Sequence, residues 1–251
     1  MIKITALVIF SIVLTKLYSL NSFVEDKNSN GQTQSHIIWG QPEQQLVEQV
    51  VSLGGEITEH LPLINGVVAN LTSAQVEQLS GLNLKHFKNA HTEIASTGWG
   101  KRLKSSQAVV PYQVGAHQLH TMGILGDGVT VAVLDTGVRT MGGLRDDAYG
   151  RKRFYGTYNA INNSVANNDE EANGHGTHLA SIIANSERDI FNRYYGVAPN
   201  VRLISVKAFN YDGSARYQDV IRGIDWVIKY KDRYNIRVLN LSFGSPVKSF
   251  Y

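Results

Sequence analysis

Residues 129–134 form an almost unbroken apolar run, Val-Thr-Val-Ala-Val-Leu, that ends on a carboxylate, Asp135, followed by Thr136 and Gly137. A strand that is apolar along its whole length needs cover on both faces, as a central strand of a parallel sheet has when helices pack on either side. Further elements follow at matching intervals. Residues 201–206 read as a second strand, and residues 237–242 as a third. Between them, residues 218–230 read as an amphipathic helix with Val220, Ile221, Ile224 and Val227 on one face. A helix is expected from His175 onward and a short one over residues 115–122. Strands alternating with helices imply a doubly wound α/β fold with a parallel sheet. Sites in such sheets form outside the carboxyl ends of the strands, where Asp135 stands, with Gly137 allowing the chain to turn sharply away.

A different rhythm precedes this region. Residues 36–39 read as a short strand, and Gln41-Pro42 opens a helix with Leu46, Val50 and Val51 on one face, ending at Gly54-Gly55. Residues 56–60 and 64–71 alternate as strands, Thr72 and Gln75 have the capping-box spacing of a helix start, and residues 84–87 can close the sheet. This β-α-β-β-α-β order is the split-βαβ arrangement of a small ferredoxin-like α+β domain. Residues 95–108 are small, polar and basic, the composition of a linker open to proteolytic nicking. At the N-terminus Lys3 precedes an apolar run over residues 4–14, broken by Lys16 and followed by a polar stretch. About 12 apolar residues are too few to span a bilayer, which takes roughly 20, but fit a signal-peptide core. The expected organisation is a signal peptide over 1–22, a small domain over 36–94, a linker over 95–108 and an α/β domain over 109–251.

Composition narrows the function classes. With 43% hydrophobic and 18% charged residues the 251-residue chain is globular in composition, and a net charge of +3 without a long basic run does not imply nucleic acid. The triplet Arg151-Lys152-Arg153 reads as a solvated loop. The absence of cysteine excludes disulfides, thiolate zinc sites and a cysteine nucleophile, but not secretion, because a large core can do without staples.

The chemistry lies in a second motif forty residues after Asp135, Asn173-Gly174-His175-Gly176-Thr177-His178-Leu179-Ala180. An acid placed to orient an imidazole is the supporting half of nucleophilic acyl transfer, and acid-before-histidine is one of the known chain orders. The competing readings are an aspartate that caps a turn and a pair of helix-start histidines satisfied by backbone carbonyls. A zinc site lacks both a third ligand and the H-E-x-x-H spacing.

These residues resemble the subtilisin-like serine protease family, in which the positions of Asp135 and His175 are catalytic and His178 is left to structural support. The resemblance continues through Tyr195-Gly196-Val197-Ala198-Pro199, a turn before the next strand, and through Asp212-Gly213-Ser214-Ala215-Arg216-Tyr217 and Leu241-Ser242-Phe243-Gly244, the two walls of the substrate cleft. It implies substrate-binding roles for Gly213, Ser214, Ala215, Tyr217, Ser242, Phe243 and Gly244, with the substrate added as an extended strand. The family usually has glycine where this chain has Ala215. It further implies that residues 36–94 are a propeptide that assists folding and packs in the cleft of its own protease domain as an inhibitor, and that maturation falls within 95–108. The implied protein is a secreted serine endopeptidase acting on extended protein or peptide substrates, with no nucleic-acid partner and no membrane association after signal cleavage. No cofactor is expected. The one metal position implied is a structural calcium around Asn185-Ser186-Glu187-Arg188-Asp189, with a solvated loop as the competing reading.

The family's third catalytic group, a serine in a Gly-Thr-Ser-x-Ala setting, does not occur through Tyr251. Ser181 falls inside the helix after His175, and Ser214 and Ser242 fall on recognition segments, so none sits on a strained strand-to-helix elbow. The expectation is a truncated form, incomplete in its α/β sheet and inactive alone. The alternative is a truncated product whose residues 36–94 serve as an inhibitor or folding chaperone of an intact relative.

Overall fold

A computed structural model describes residues 32–82, 84–94, 109–166, 171 and 173–244. The signal-peptide expectation for 1–22 and the linker over 95–108 lie outside them. The described residues up to Ala90 belong to one compact unit, and those of His91–Gly244 to a second.

In the first unit, β1 (Gln34–Trp39), α1 (Glu43–Ser52), β2 (Glu56–Leu61), β3 (Gly66–Leu71), α2 (Ser73–Gly81) and β4 (Lys85–Lys88) follow one another as the hydrophobic pattern requires. The four strands form an antiparallel sheet in the order β2-β3-β1-β4, the split-βαβ topology. The capping box forms: Gln75 N donates to Thr72 Oγ1 and Thr72 N donates to Gln75 Oε1, so α2 starts where the sequence places it. Ile38, Leu46, Val50, Val67, Ala69, Leu71, Leu79 and Leu84 make the core. Two expectations need correction. Val51 points away from that core and is 58% exposed, because the buried stripe runs through Leu46 and Val50 only. The third strand starts at Gly66 and not at residue 64, since Pro62–Ile64 form a 3-10 turn that Asn65 ends in the left-handed region at φ 46°.

The second unit holds β5 (His91–Ile94), α3 (Val109–Gln113), α4 (Ala116–Thr121), β6 (Thr130–Asp135), β7 (Phe154–Asn159), β8 (Ser164–Ala166), α5 (His175–Ala184), β9 (Arg202–Lys207), β10 (Ser214–Arg216), α6 (Tyr217–Tyr230), β11 (Ile236–Leu241) and β12 (Phe243–Gly244). Its main sheet runs β11-β6-β9-β7-β8, parallel except for the β7–β8 hairpin. Every residue of β6 is buried, as the apolar run demands. On one face Val131 and Val133 pack with Ala180 and Ala184 of α5. On the other, Gly223 of α6 lies so close that an added Cβ would stand 2.8 Å from Leu134 Cδ1. Helices therefore cover both faces of the sheet, and the carboxyl ends of β6, β9 and β11 come together. β11 is level with β6 at Leu241 and Leu134, and Lys207 of β9 pairs with Asp135.

The basic triplet is not a solvated loop throughout. Arg151 pairs with Asp147 and Asp127 at the surface and Lys152 is exposed, but Arg153 is 1% exposed, among the largest fully buried side chains described. No helix among the described residues is long and apolar enough to cross a membrane.

Candidate active site

Asp135 ends β6 with its side chain wholly buried, and His175 opens α5. The fold brings them together: His175 Nδ1 lies 2.8 Å from Asp135 Oδ1. An ionised carboxylate only accepts hydrogen bonds, so Nδ1 carries the proton of this contact. In that tautomer Nε2 is the ring nitrogen that carries no proton. The same Oδ1 accepts from Thr136 N at 2.8 Å, while Oδ2 is buried without a hydrogen-bond partner among the described residues. The turn that lets the chain leave β6 depends on Gly137, whose φ is 110°.

Helix α5 can reach the end of β6 because position 176 lacks a side chain. A Cβ there would stand 2.0 Å from Gly137 O and 3.1 Å from Asp135 Cβ. Its start carries no side-chain cap from Gly174, which is left-handed at φ 96°. The exposed amides are met instead from upstream. Asn173 Oδ1 accepts from His175 N at 3.2 Å, and the Glu171 carboxylate accepts from Gly174 N at 2.8 Å, Gly176 N at 3.2 Å and Thr177 N at 3.0 Å. Glu171 also accepts from the hydroxyls of Thr136, at 2.5 Å, and Thr177. One buried carboxylate therefore ties the turn after Asp135 to the helix start that carries His175, where a negative charge also complements the helix dipole. The sequence motifs do not single out Glu171. Its only local signal is an acid shortly before a helix start.

The segments expected to bind substrate flank this pair. The loop before β10 is tied to the helix start, since Asn173 Nδ2 donates to Tyr211 O at 2.8 Å. Gly213 turns that loop at φ 82°, and Ser214 N and Oγ donate to Asp212 Oδ1 at 2.9 and 2.8 Å. Ser242 follows β11 next to the end of β6, and its Oγ accepts from Asn240 Nδ2 at 2.9 Å. Phe243 leans on Phe209 with ring centroids 5.1 Å apart, and Tyr217 is buried in the first turn of α6. Between these two segments runs a strand of the chain itself. β5 is antiparallel to both β10 and β12, in the order β10-β5-β12, with Thr92 opposite Ala215 and Glu93 opposite Gly244. Ile94 N donates to Gly213 O at 2.9 Å and Thr92 Oγ1 to Gly244 O at 2.8 Å. The methyl of Ala215 does not prevent strand addition here. His178, expected to give structural support, lies exposed on α5.

Residues 126–250 match the sequence profile of the Subtilase family. The chain belongs to that family. Among curated proteins this subtilase is similar to a thermostable alkaline protease of Halalkalibacterium halodurans, 34% identical over 190 residues, covering 74% of the chain and 45% of the relative. It is 29% identical over 200 residues to subtilisin E of Bacillus subtilis, covering 78% and 46%. The chain thus spans less than half the length of these relatives. In fold this subtilase resembles fervidolysin from Fervidobacterium pennivorans, a keratinolytic enzyme related to subtilisin, with a TM-score of 0.63 at 20% identity over 92% of the chain and 38% of that structure. It also resembles the epidermin leader peptide processing serine protease of Staphylococcus aureus, with a TM-score of 0.63 at 16% identity over 86% of the chain and 51% of that structure.

Proposed function

We propose that residues 109–244 supply the acid–base half of a secreted serine endopeptidase that cleaves extended protein substrates. The 2.8 Å contact between Asp135 and His175 at the carboxyl ends of the sheet carries this reading. Asp135 holds the imidazole in the tautomer with the proton on Nδ1. His175 Nε2 takes the proton of a serine hydroxyl as its oxygen bonds to the scissile carbonyl carbon, and returns it to the leaving amine as the C–N bond breaks. Asp135 stabilises the imidazolium between those two steps. The family's serine in its Gly-Thr-Ser-x-Ala setting is not among residues 1–251. Loss of the serine from such a triad costs a factor of about 10⁶ in turnover. The 251-residue polypeptide is therefore expected to leave a peptide nitroanilide intact, and extending it through a Gly-Thr-Ser-x-Ala segment is expected to start hydrolysis. Cleavage by the 251-residue chain that a serine-directed inhibitor abolishes would overturn this division of roles.

Residues 36–94 are read as a propeptide whose last strand takes the place of substrate. The support is β5, held between the two expected cleft walls by main-chain pairing, a recognised mode of peptide capture. The same observation favours the second reading, in which this segment serves as an inhibitor or folding chaperone of an intact relative. Titration of residues 36–94 against a subtilisin tests that reading: inhibition at micromolar concentration supports it, and undiminished hydrolysis removes it.

A further inference from the structure

Two guanidinium groups near the far end of α5 have no part in the acid–imidazole pair. Arg153, just before β7, is buried, and its hydrogen-bond partners are all main-chain carbonyls. Nη2 donates to Asp146 O at 2.6 Å and Pro199 O at 2.9 Å, Nε donates to Asp146 O at 3.1 Å, and Nη1 donates to Ala184 O. Burial lowers its pKa to about 10, which still leaves it charged at neutral pH. A buried cation is tolerated only when its donors are met, and three carbonyls meet them here. Ala184 is the last residue of α5, so the charge also sits at the negative end of the helix dipole.

Arg193 closes the loop that follows. Its Nε and Nη2 lie 2.7 and 2.5 Å from Oδ2 of Asp189, whose side chain is wholly buried. The Oδ1 atom accepts from Phe191 N at 2.9 Å and Arg193 N at 3.0 Å. The guanidinium hydrogen bond and these amides hold the Asp189 pKa down at about 2.

This is the stretch where the family resemblance implies calcium, and its side-chain oxygens other than those of the exposed Glu187 are already committed. Asn185 Oδ1 accepts from Glu187 N at 2.8 Å, and Ser186 Oγ donates to Asp146 O at 2.8 Å. Both Asp189 oxygens are taken, and the carbonyls of Asp146, Ala184 and Pro199 hold Arg153. A calcium ion needs six to eight oxygens at about 2.3–2.6 Å, which this segment could offer only by releasing its guanidinium groups. Among the described residues no group of three or more acidic or histidine side chains is placed to hold a metal. The donor set does not fit the ion.

We propose that Arg153 and Arg193 act as built-in cations for residues 184–199, in the place of a structural metal, so that the helix carrying His175 is anchored without calcium. Thermal unfolding of the full 251-residue chain, followed by circular dichroism in millimolar calcium and in excess EDTA, should give the same midpoint within about 1 °C. A midpoint several degrees higher in calcium overturns the proposal, and so does a cooperative transition that appears only when calcium is present. A chain with no transition in either buffer also overturns it, because the guanidinium contacts would then not suffice. Arg193→Gln and Asp189→Asn should each lower the midpoint, and the double variant should lose less than the sum of the two. Strictly additive losses would show that the pair does not hold the loop.

Discussion

Replacing Gly176 by alanine is expected to destabilise the second unit and to separate Asp135 from His175. The added methyl would lie 2.0 Å from Gly137 O, a main-chain atom that no rotamer change can move aside. Relief requires α5 to withdraw from the exit of β6 by more than an ångström. That withdrawal stretches both the 2.8 Å Asp135–His175 contact and the 3.1 Å bond from Gly176 N to Thr136 Oγ1. Overpacking of this kind costs about 3 kcal/mol, equivalent to a midpoint roughly 6–12 °C lower for a domain of this size. In an assembled enzyme a displacement of about 1 Å at the imidazole should reduce turnover by roughly 10²-fold. Differential scanning calorimetry of the variant is the direct measurement, and a midpoint within about 2 °C of the parent would show that the close approach is not needed.

Replacing Glu171 by alanine should cost as much or more, by removing an acceptor instead of adding bulk. The carboxylate is 4% exposed and meets the amides of Gly174, Gly176 and Thr177 and the hydroxyls of Thr136 and Thr177. Without it, donors at the start of α5 are left buried and unmet, and the helix dipole loses its negative partner. The expected loss is about 3–5 kcal/mol, from charge-assisted hydrogen bonds of roughly 1.5–3 kcal/mol each that do not add in full. Glu171→Gln should recover part of this, since an amide oxygen still accepts but carries no charge. Chemical denaturation of the two variants beside the parent decides the point. Equal stability of Glu171→Ala and the parent would mean that water replaces the carboxylate at no cost.

The parts of the fold that were legible in the sequence are those written by near neighbours. The β6 run, the capping box at Thr72 and Gln75, the apolar stripe of α6 and the glycines around His175 all depend on residues within a few positions of one another. The split-βαβ order of the first unit and the parallel sheet of the second follow from that local periodicity. What was not legible depends on distant partners. Glu171 stands in an acidic, polar stretch, and its role appears only when the turn at Thr136, 35 residues earlier, comes within 2.5 Å. β5 has four residues and no distinctive pattern, so it reads as the tail of the preceding domain. Its partners are Ala215 and Gly244, far along the chain. Arg153 looked like a surface residue because a basic triplet normally is one, yet three carbonyls from separate segments enclose it.

By itself the sequence determined the family, the two layers of helix around a parallel sheet, and the identity of an acid and an imidazole forty residues apart, because each of these rests on short-range pattern and residue chemistry. Tertiary structure alone decided that the two side chains meet at 2.8 Å, that Glu171 locks the elements bearing them, that β5 lies between the expected cleft walls, and that two arginines close the loop after α5. Those are matters of distance between remote segments. Such distances are set by how helix and sheet pack, and a glycine at position 176 permits the approach of α5 to the end of β6.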